Sequence, residues 1–299
     1  MKEIITIGVV NFNAKWGKKN FNYERIVGYI EAASKRGVDF LIFPELCLTG
    51  YDDQKEVDKE QKMHVKLAES KYGEMVSQLL DIAKAHEIYV VLGMPEKNKK
   101  ADNIIHNTAL VVTSDHRSYT YRKIHLALDE PNWATPGQYP LLIDTPWGPI
   151  GIAICYDLYA FPELIRYYAA KGARLVINST AYAKSRGAIK GRTTLESTVL
   201  MNGIYVATAN LCGKDLVNEF WGGSSIIGPS RKMQEVHYYA GKPFGDTEGE
   251  EEELYIATID LALAERGIYE ENNRLGRSDF RPNLYAGWYQ ELAQIEMEI

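Results

Sequence analysis

Three cysteines, Cys47, Cys155 and Cys212, are too few and too scattered for a disulfide framework or a paired metal-ligand spacing; a reducing compartment suits such a set. No apolar stretch is long enough to cross a bilayer, and Met1-Lys-Glu runs directly into a short strand with no charged-then-apolar leader. A Gly-rich phosphate loop is missing too, since Gly222-Gly223 precedes a strand where such a turn would have to precede a helix. Basic residues are in deficit: 34 Lys and Arg against 40 Asp and Glu leave a net charge of −6 with no basic cluster, which argues against nucleic acid as a partner. The expectation is a cytoplasmic protein that acts on small molecules, away from membranes, with no cofactor and no metal.

No Pro/Gly/Ser linker interrupts the 299 residues, and strand-helix alternation favours one large α/β domain. Ile4 to Val10 reads as a buried strand. Tyr23 to Arg36 reads as a helix with Ile26, Val27, Ile30 and Ala33 on one face and Gly37 at its end. Val38 to Phe43 is a second strand, Met75 to His86 a second helix with an apolar stripe, and Ile88 to Gly93 a third strand. Asn107 to Asp144 reads as antiparallel strands turning at Ser114-Asp-His-Arg-Ser118 and at Pro146-Trp-Gly148. The acidic run Gly245 to Glu253 reads as a solvated loop. Tyr285, Trp288 and Tyr289 near the C-terminus read as aromatic anchors in an interface.

Cys155 ends the apolar run Pro149-Ile-Gly-Ile-Ala-Ile154, just before a helix marked by Pro162, Glu163, Leu164, Ile165 and Tyr168 and stopped by Gly172. A thiol at a strand-to-helix corner is held rigidly near a positive helix end that favours its thiolate. A lone intracellular cysteine is nonetheless most often a small buried hydrophobe, so its company matters. Two other apolar strands also end in a charge. Val38 to Phe43 delivers Glu45, and Tyr119-Thr-Tyr-Arg-Lys123 delivers an ammonium. A carboxylate can take the thiol proton and later activate water, while a lysine can hold both anions and stabilise an oxyanion. Cys47 and Cys212 precede no marked helix and read as packing or pocket-wall thiols. His64, His86, His106, His125 and His237 are scattered; only His125 lies near a motif, and a structural hydrogen bond is its expected role.

These residues lead to a family. The chain resembles the nitrilase superfamily of carbon-nitrogen hydrolases through Phe43-Pro-Glu45-Leu-Cys-Leu-Thr-Gly-Tyr51, Tyr121-Arg-Lys123-Ile-His-Leu126 with Glu130 downstream, and Gly151-Ile-Ala-Ile-Cys155-Tyr-Asp157 followed by Phe161-Pro-Glu163. The resemblance spans roughly Ile5 to Asp260 and includes Gly222 to Pro229. It implies a four-layer α-β-β-α sandwich of two packed mixed sheets over residues 1–262, with a C-terminal extension, 263–299, that packs in the interface of a homodimer or higher homo-oligomer. It also implies Glu45 as general base, Lys123 as the triad lysine, Cys155 as nucleophile and Glu130 as a second, substrate-positioning glutamate. The backbone N–H of Tyr156 is expected to share an oxyanion hole with Lys123. Asp129, beside Glu130, is the competing carboxylate, because an extended segment before Pro131 would point the two side chains in opposite directions.

The expected activity is hydrolysis of a small amide or N-carbamoyl bond through a Cys thioester, with loss of ammonia or an amine. A nitrilase acting through a thioimidate is the alternative, and Tyr156-Asp157 in place of the Trp-Glu of that branch favours the amidase. A non-catalytic binding or scaffold protein on the same fold is the reading from another class, against which all four functional residues stand. The chain departs from the family in an apparent extra residue within Leu158-Tyr159-Ala160. Ala160 also stands where many omega-amide hydrolases carry an arginine, and the segment Leu195 to Val206 lacks the Arg and Glu that usually precede Asn202. Tyr51, Trp133, Tyr159, Tyr182 and Trp221 are candidate pocket walls, and Lys184, Arg186 and Arg192 candidate anion partners.

Overall fold

The computed structural model describes residues 1–51, 56–98, 101–231 and 235–297. Its first half contains Ile4–Asn11 (β1), Lys19–Lys35 (α1), Phe40–Ile42 (β2), Met63–Leu67 (α2), Glu74–Ala85 (α3), Tyr89–Asn98 (β3), Ala101–Val112 (β4), Ser118–Arg122 (β5) and Leu141–Thr145 (β6). The second contains Gly148–Ile154 (β7), Tyr156–Tyr159 (α4), Pro162–Ala170 (α5), Leu175–Thr180 (β8), Ala188–Asn202 (α6) and Tyr205–Asn210 (β9). A small hairpin, Cys212–Lys214 (β10) with Glu219–Trp221 (β11), precedes Ser225–Pro229 (β12), Val236–Gly241 (β13), Glu253–Asp260 (β14) and Pro282–Met297 (α7).

Two six-stranded mixed sheets result, in the orders β14-β1-β2-β3-β4-β5 and β13-β12-β9-β8-β7-β6. Each has three parallel strands at its centre, β1-β2-β3 and β7-β8-β9, flanked by antiparallel ones. The pleat explains the layering, because alternate residues of a strand face opposite sides. Ile5, Ile7 and Val9 of β1, with Tyr89 and Val91 of β3, pack between the sheets against Ile152, Ile154 and Ile177. Their neighbours Val10, Val90 and Leu92 face outward, where Ile26 and Ile30 of α1 and Val76 and Leu79 of α3 cover them. On the far side Leu164, Ile165 and Tyr168 of α5 and Leu195 and Val199 of α6 cover the second sheet. Each such fully buried aliphatic side chain stabilises the fold by at most about 1.5–3 kcal/mol.

The structure departs from the sequence expectations in four places. Residues 123–140 are not strand: after β5 the chain forms a loop with a single 3-10 turn, Glu130–Asn132, before β6 begins. The helix marked by Pro162 forms as α5, but it does not abut the thiol: the one-turn α4 lies between Cys155 and Pro162, which lacks the N–H that would continue that turn. The acidic run is exposed at Glu248, Glu251 and Glu253 but is tied down between them, with Arg25 paired to Glu252, Lys184 to Glu250 at 2.5 Å, and Asn11 Nδ2 donating to the Gly249 and Glu251 carbonyls at 2.7 and 2.9 Å. Trp133, expected in the pocket wall, is buried in the first helical layer, where it stacks on His64 at 4.4 Å. At the C-terminus Tyr289 donates to Glu163 Oε1 at 2.6 Å, and Trp288 and Tyr289 of α7 keep about half of their surface exposed.

His64 is itself fully buried, with Nε2 3.1 Å from the Gly50 carbonyl oxygen. Burial lowers its pKa from the ordinary 6.5 to about 4. The unfolded chain therefore takes up a proton at His64 well before the folded one does, so its contribution is full above pH 6.5 and is lost as the pH falls toward 4. The loss amounts to about 3 kcal/mol at most. The difference in unfolding free energy between wild type and His64→Phe, followed by urea denaturation, should shrink by that order between about pH 7 and pH 4. A difference that stays constant with pH would contradict the assignment.

Candidate active site

Three strand ends meet at one edge of the sandwich. After β2 the backbone leaves the sheet at Phe43 and turns at Pro44-Glu45-Leu46, with Leu46 at φ 50°. This turn lies directly on β3 at Gly93, where any Cβ would stand 2.2 Å from the Pro44 carbonyl oxygen and 2.7 Å from Glu45 Cα. Only glycine lets the glutamate backbone come so close. After β5, Lys123 keeps the strand alternation: Tyr121 and Lys123 point inward, while Arg122 points out to Glu96 through bonds of 2.9 and 2.8 Å. Gly137 closes the other side of this strand end, its N–H donating to the Lys123 carbonyl at 2.7 Å where a Cβ would strike the Arg122 carbonyl at 2.1 Å.

The lysine is wholly buried, and its Nζ lies 2.7 Å from Glu45 Oε1 and 2.6 Å from Glu130 Oε1. Burial opposes its charge, but Glu130 first, then Glu45 and Cys155, outweigh that and hold its pKa above the usual lysine range. Glu45 also accepts from Asn107 Nδ2 at 2.8 Å, and its other oxygen, Oε2, is buried with no hydrogen-bond partner among the described residues. Glu130 accepts from the Tyr51 hydroxyl at 2.9 Å and the Ala127 N–H at 3.2 Å. Burial raises the Glu130 pKa to about 7, with Lys123 pulling it down and Glu45 pushing it up. The 3-10 turn puts Glu130 inward without the extended geometry expected before Pro131, and leaves Asp129 partly exposed.

Cys155 sits between β7 and α4 at φ 45° and ψ −101°, a backbone conformation that a side chain with a Cβ occupies only under constraint. The constraint is visible. Its N–H donates to both Asn178 Oδ1 at 2.9 Å and the Ser179 carbonyl at 3.0 Å, while its carbonyl accepts from Leu158 and Tyr159, each at 3.0 Å. The expected thiolate is not favoured at rest. Burial, then the charge of Glu45, push the thiol up to about 12, against a smaller opposing pull from Lys123. A one-turn helix has too little backbone dipole to reverse this. To act as a nucleophile such a thiol would need a base.

Cys155 opens into a cavity of about 330 Å³ lined by Tyr51, Tyr156, Tyr159 and Tyr182 among others. Trp133 and Trp221 are not in its lining, and the Trp221 ring stands 5.4 Å from Lys184 Nζ. Tyr182 stacks on Phe244 at 5.0 Å and tilts against Tyr159 at 4.6 Å. The N–H of Tyr156, at the first helical position of α4, has no acceptor within the helix. Cys47 is fully buried near the Gly93 carbonyl, and Cys212 is buried as well.

Two supporting residues were assigned no role from the sequence. Asn107 on β4 fixes Glu45, and its position in an ordinary strand alternation does not distinguish it from a core asparagine. Asp157, two residues after Cys155, accepts from the Tyr121 hydroxyl, the His125 N–H and His125 Nδ1, each at 2.8 Å. It thereby ties the segment bearing Lys123 to the turn bearing the thiol, and His125 has the structural role expected of it.

The comparisons agree with this architecture. The chain belongs to the carbon-nitrogen hydrolase family, whose pattern it matches over residues 6–269. It is 30% identical to the 2-oxoglutaramate amidase of Bacillus subtilis, over 75% of this chain and 83% of that one. It is 28% identical to a nitrilase of Pyrococcus abyssi, over 87% and 91% of the two chains. Among solved structures, a member of branch 10 of the nitrilase superfamily from Saccharomyces cerevisiae superposes with a TM-score of 0.75 at 26% identity, covering 89% of this chain and 93% of that one. The two packed mixed sheets with outer helices are the fold of this superfamily, and the chain is an enzyme acting on non-peptide C–N bonds.

The contact of Gly93 with the Glu45 turn leads to a test. Gly93→Ala should overpack the turn, lowering stability by about 1–3 kcal/mol. It should also reduce kcat by more than tenfold, roughly what displacement of a general base implies. Chemical denaturation and ammonia release on one preparation would measure both. A variant of normal activity would show that the glutamate backbone does not depend on this contact.

Proposed function

We propose that the protein is a cofactor-independent amidase that hydrolyses a small amide or N-carbamoyl compound through a thioester on Cys155. The observation that carries the reading is the bonding of one buried lysine to two carboxylates beside a buried thiol that opens into a cavity. As Sγ attacks the carbonyl carbon, Glu45 takes the thiol proton and the carbonyl electron pair moves onto oxygen. Lys123 and the Tyr156 N–H stabilise that oxyanion. Glu45 then passes its proton to the leaving nitrogen, the C–N bond breaks and ammonia or an amine departs. Water, giving a proton to Glu45, attacks the thioester. The acid leaves and the proton returns to the thiol. Glu130, bonded to Lys123 and to the Tyr51 hydroxyl, orients the lysine and the bound amide.

The Bacillus subtilis relative is named for an amide that also carries a carboxylate, which supports the amide over the nitrile. Ammonia release across aliphatic amides, omega-amides, N-carbamoyl compounds and nitriles is the direct test; turnover of nitriles alone would replace this reading with a nitrilase. Cys155→Ala should retain less than about a hundredth of wild-type kcat, and losses in double variants with Glu45→Gln and Lys123→Met should not add. Retention above that level would remove Cys155 as nucleophile.

Glu130→Gln should slow single-turnover acylation of Cys155 while leaving the melting temperature near that of wild type, and Asp129→Asn should change both little. Full-rate acylation in the Glu130 variant with a slow Asp129 variant would transfer the role to the neighbouring carboxylate.

A further inference from the structure

The cavity that holds Cys155 is asymmetric in charge. At the reactive end, Lys123 is matched by two carboxylates. Two further cations, Arg186 and Lys190, line the same cavity from the segment that leads into and begins α6, and neither forms an ion pair with any described residue. Their neighbours behave differently. Lys184 is held by Glu219 and Glu250, and Arg192 by Glu196 one turn further along the helix. Of the four cations from Lys184 to Arg192, the two without a carboxylate partner are thus the two that line the cavity.

The wall joining the two ends is built. The Tyr182 hydroxyl lies 3.4 Å from both the Arg186 and the Gly187 carbonyl oxygens, which fixes the start of this segment against the pocket. Tyr182 lines the cavity together with Cys155 and Arg186. Ala160, in the loop after the nucleophile, supplies no cation.

Resting on the amidase reading above, we propose that Arg186 and Lys190 form an anion subsite and that the preferred substrate is a short amide whose far end is a carboxylate. A guanidinium meets a carboxylate with paired donors, and a second cation beside it adds charge without needing a fixed geometry. Two cations that have no internal partner raise the local concentration of anionic substrate at the cavity mouth.

The test compares succinamate with butyramide, which differ chiefly in the terminal carboxylate. Affinity is measured by calorimetry on Cys155→Ala and turnover by ammonia release on the enzyme with Cys155 intact. Succinamate should bind at least about tenfold more tightly than butyramide, the gain expected of a charge-assisted contact. Arg186→Gln should reduce that preference by about tenfold, acting on KM more than kcat, and adding Lys190→Gln should abolish it. Arg192→Gln, a cation outside the cavity, should leave the preference unchanged, and rising salt should erode it. Equal affinity for the two amides, or an undiminished preference in the double variant, would overturn the subsite. The two readings fail separately: selective binding of succinamate with no turnover of any amide would refute the amidase and support the subsite.

Discussion

The arrangement depends on a single buried cation. Lys123 has no exposed surface and is tolerable only because Glu45 and Glu130 both reach its ammonium. Removing both partners would leave an unpaired charge in a dry interior, which typically costs about 3–5 kcal/mol. The surrounding structure can be read as the means of holding that triangle shut. Asn107 and Tyr51 each occupy a further lone pair of a carboxylate, and Gly93 and Gly137 let two backbones approach closely enough for the charges to meet. The thiol is placed beside this triangle and feels both signs at once, with Glu45 opposing its ionisation and Lys123 favouring it.

Strain and burial at Cys155 act together. The left-handed turn lifts the thiol off the end of β7, and the bonds from its N–H to Asn178 and Ser179 keep the turn from relaxing. A thiol whose pKa lies near 12 is almost fully protonated at neutral pH, which protects it from adventitious oxidation while no substrate is bound. On the proposed mechanism, reactivity is then conditional on a carbonyl arriving beside the sulfur.

Much of this was legible in the residues. The alternation in β1 and β3, the helical stripes of α1 and α3, and the placement of Glu45, Lys123 and Cys155 after apolar runs are local patterns that follow strand and helix periods. What escaped was set by distant contacts. Trp133 has the composition of a pocket wall, yet it is drawn into the core by stacking on His64, which lies in another segment of the chain. Asn107 and Asp157 look like ordinary polar residues until the fold brings Glu45 and His125 to them. The state of the thiol was misread for a related reason: sequence marks the helix that begins at Pro162, but the single turn α4 stands between its start and the thiol, and burial dominates.

The pairing of β1 with β14 sets Ile4 opposite Asp260 and carries through to Asn11 opposite Glu253. The outer strand of the first sheet is therefore supplied by a segment that leaves the ribosome some two hundred and fifty residues after its partner. Until then β1 presents an open edge, while Glu45 and Lys123 wait beside an incomplete sandwich. Contacts between such distant parts of a chain form slowly because a long loop must close first. The sheet that carries the charged triangle is thus closed at this edge only late in synthesis, when nearly the whole chain is available.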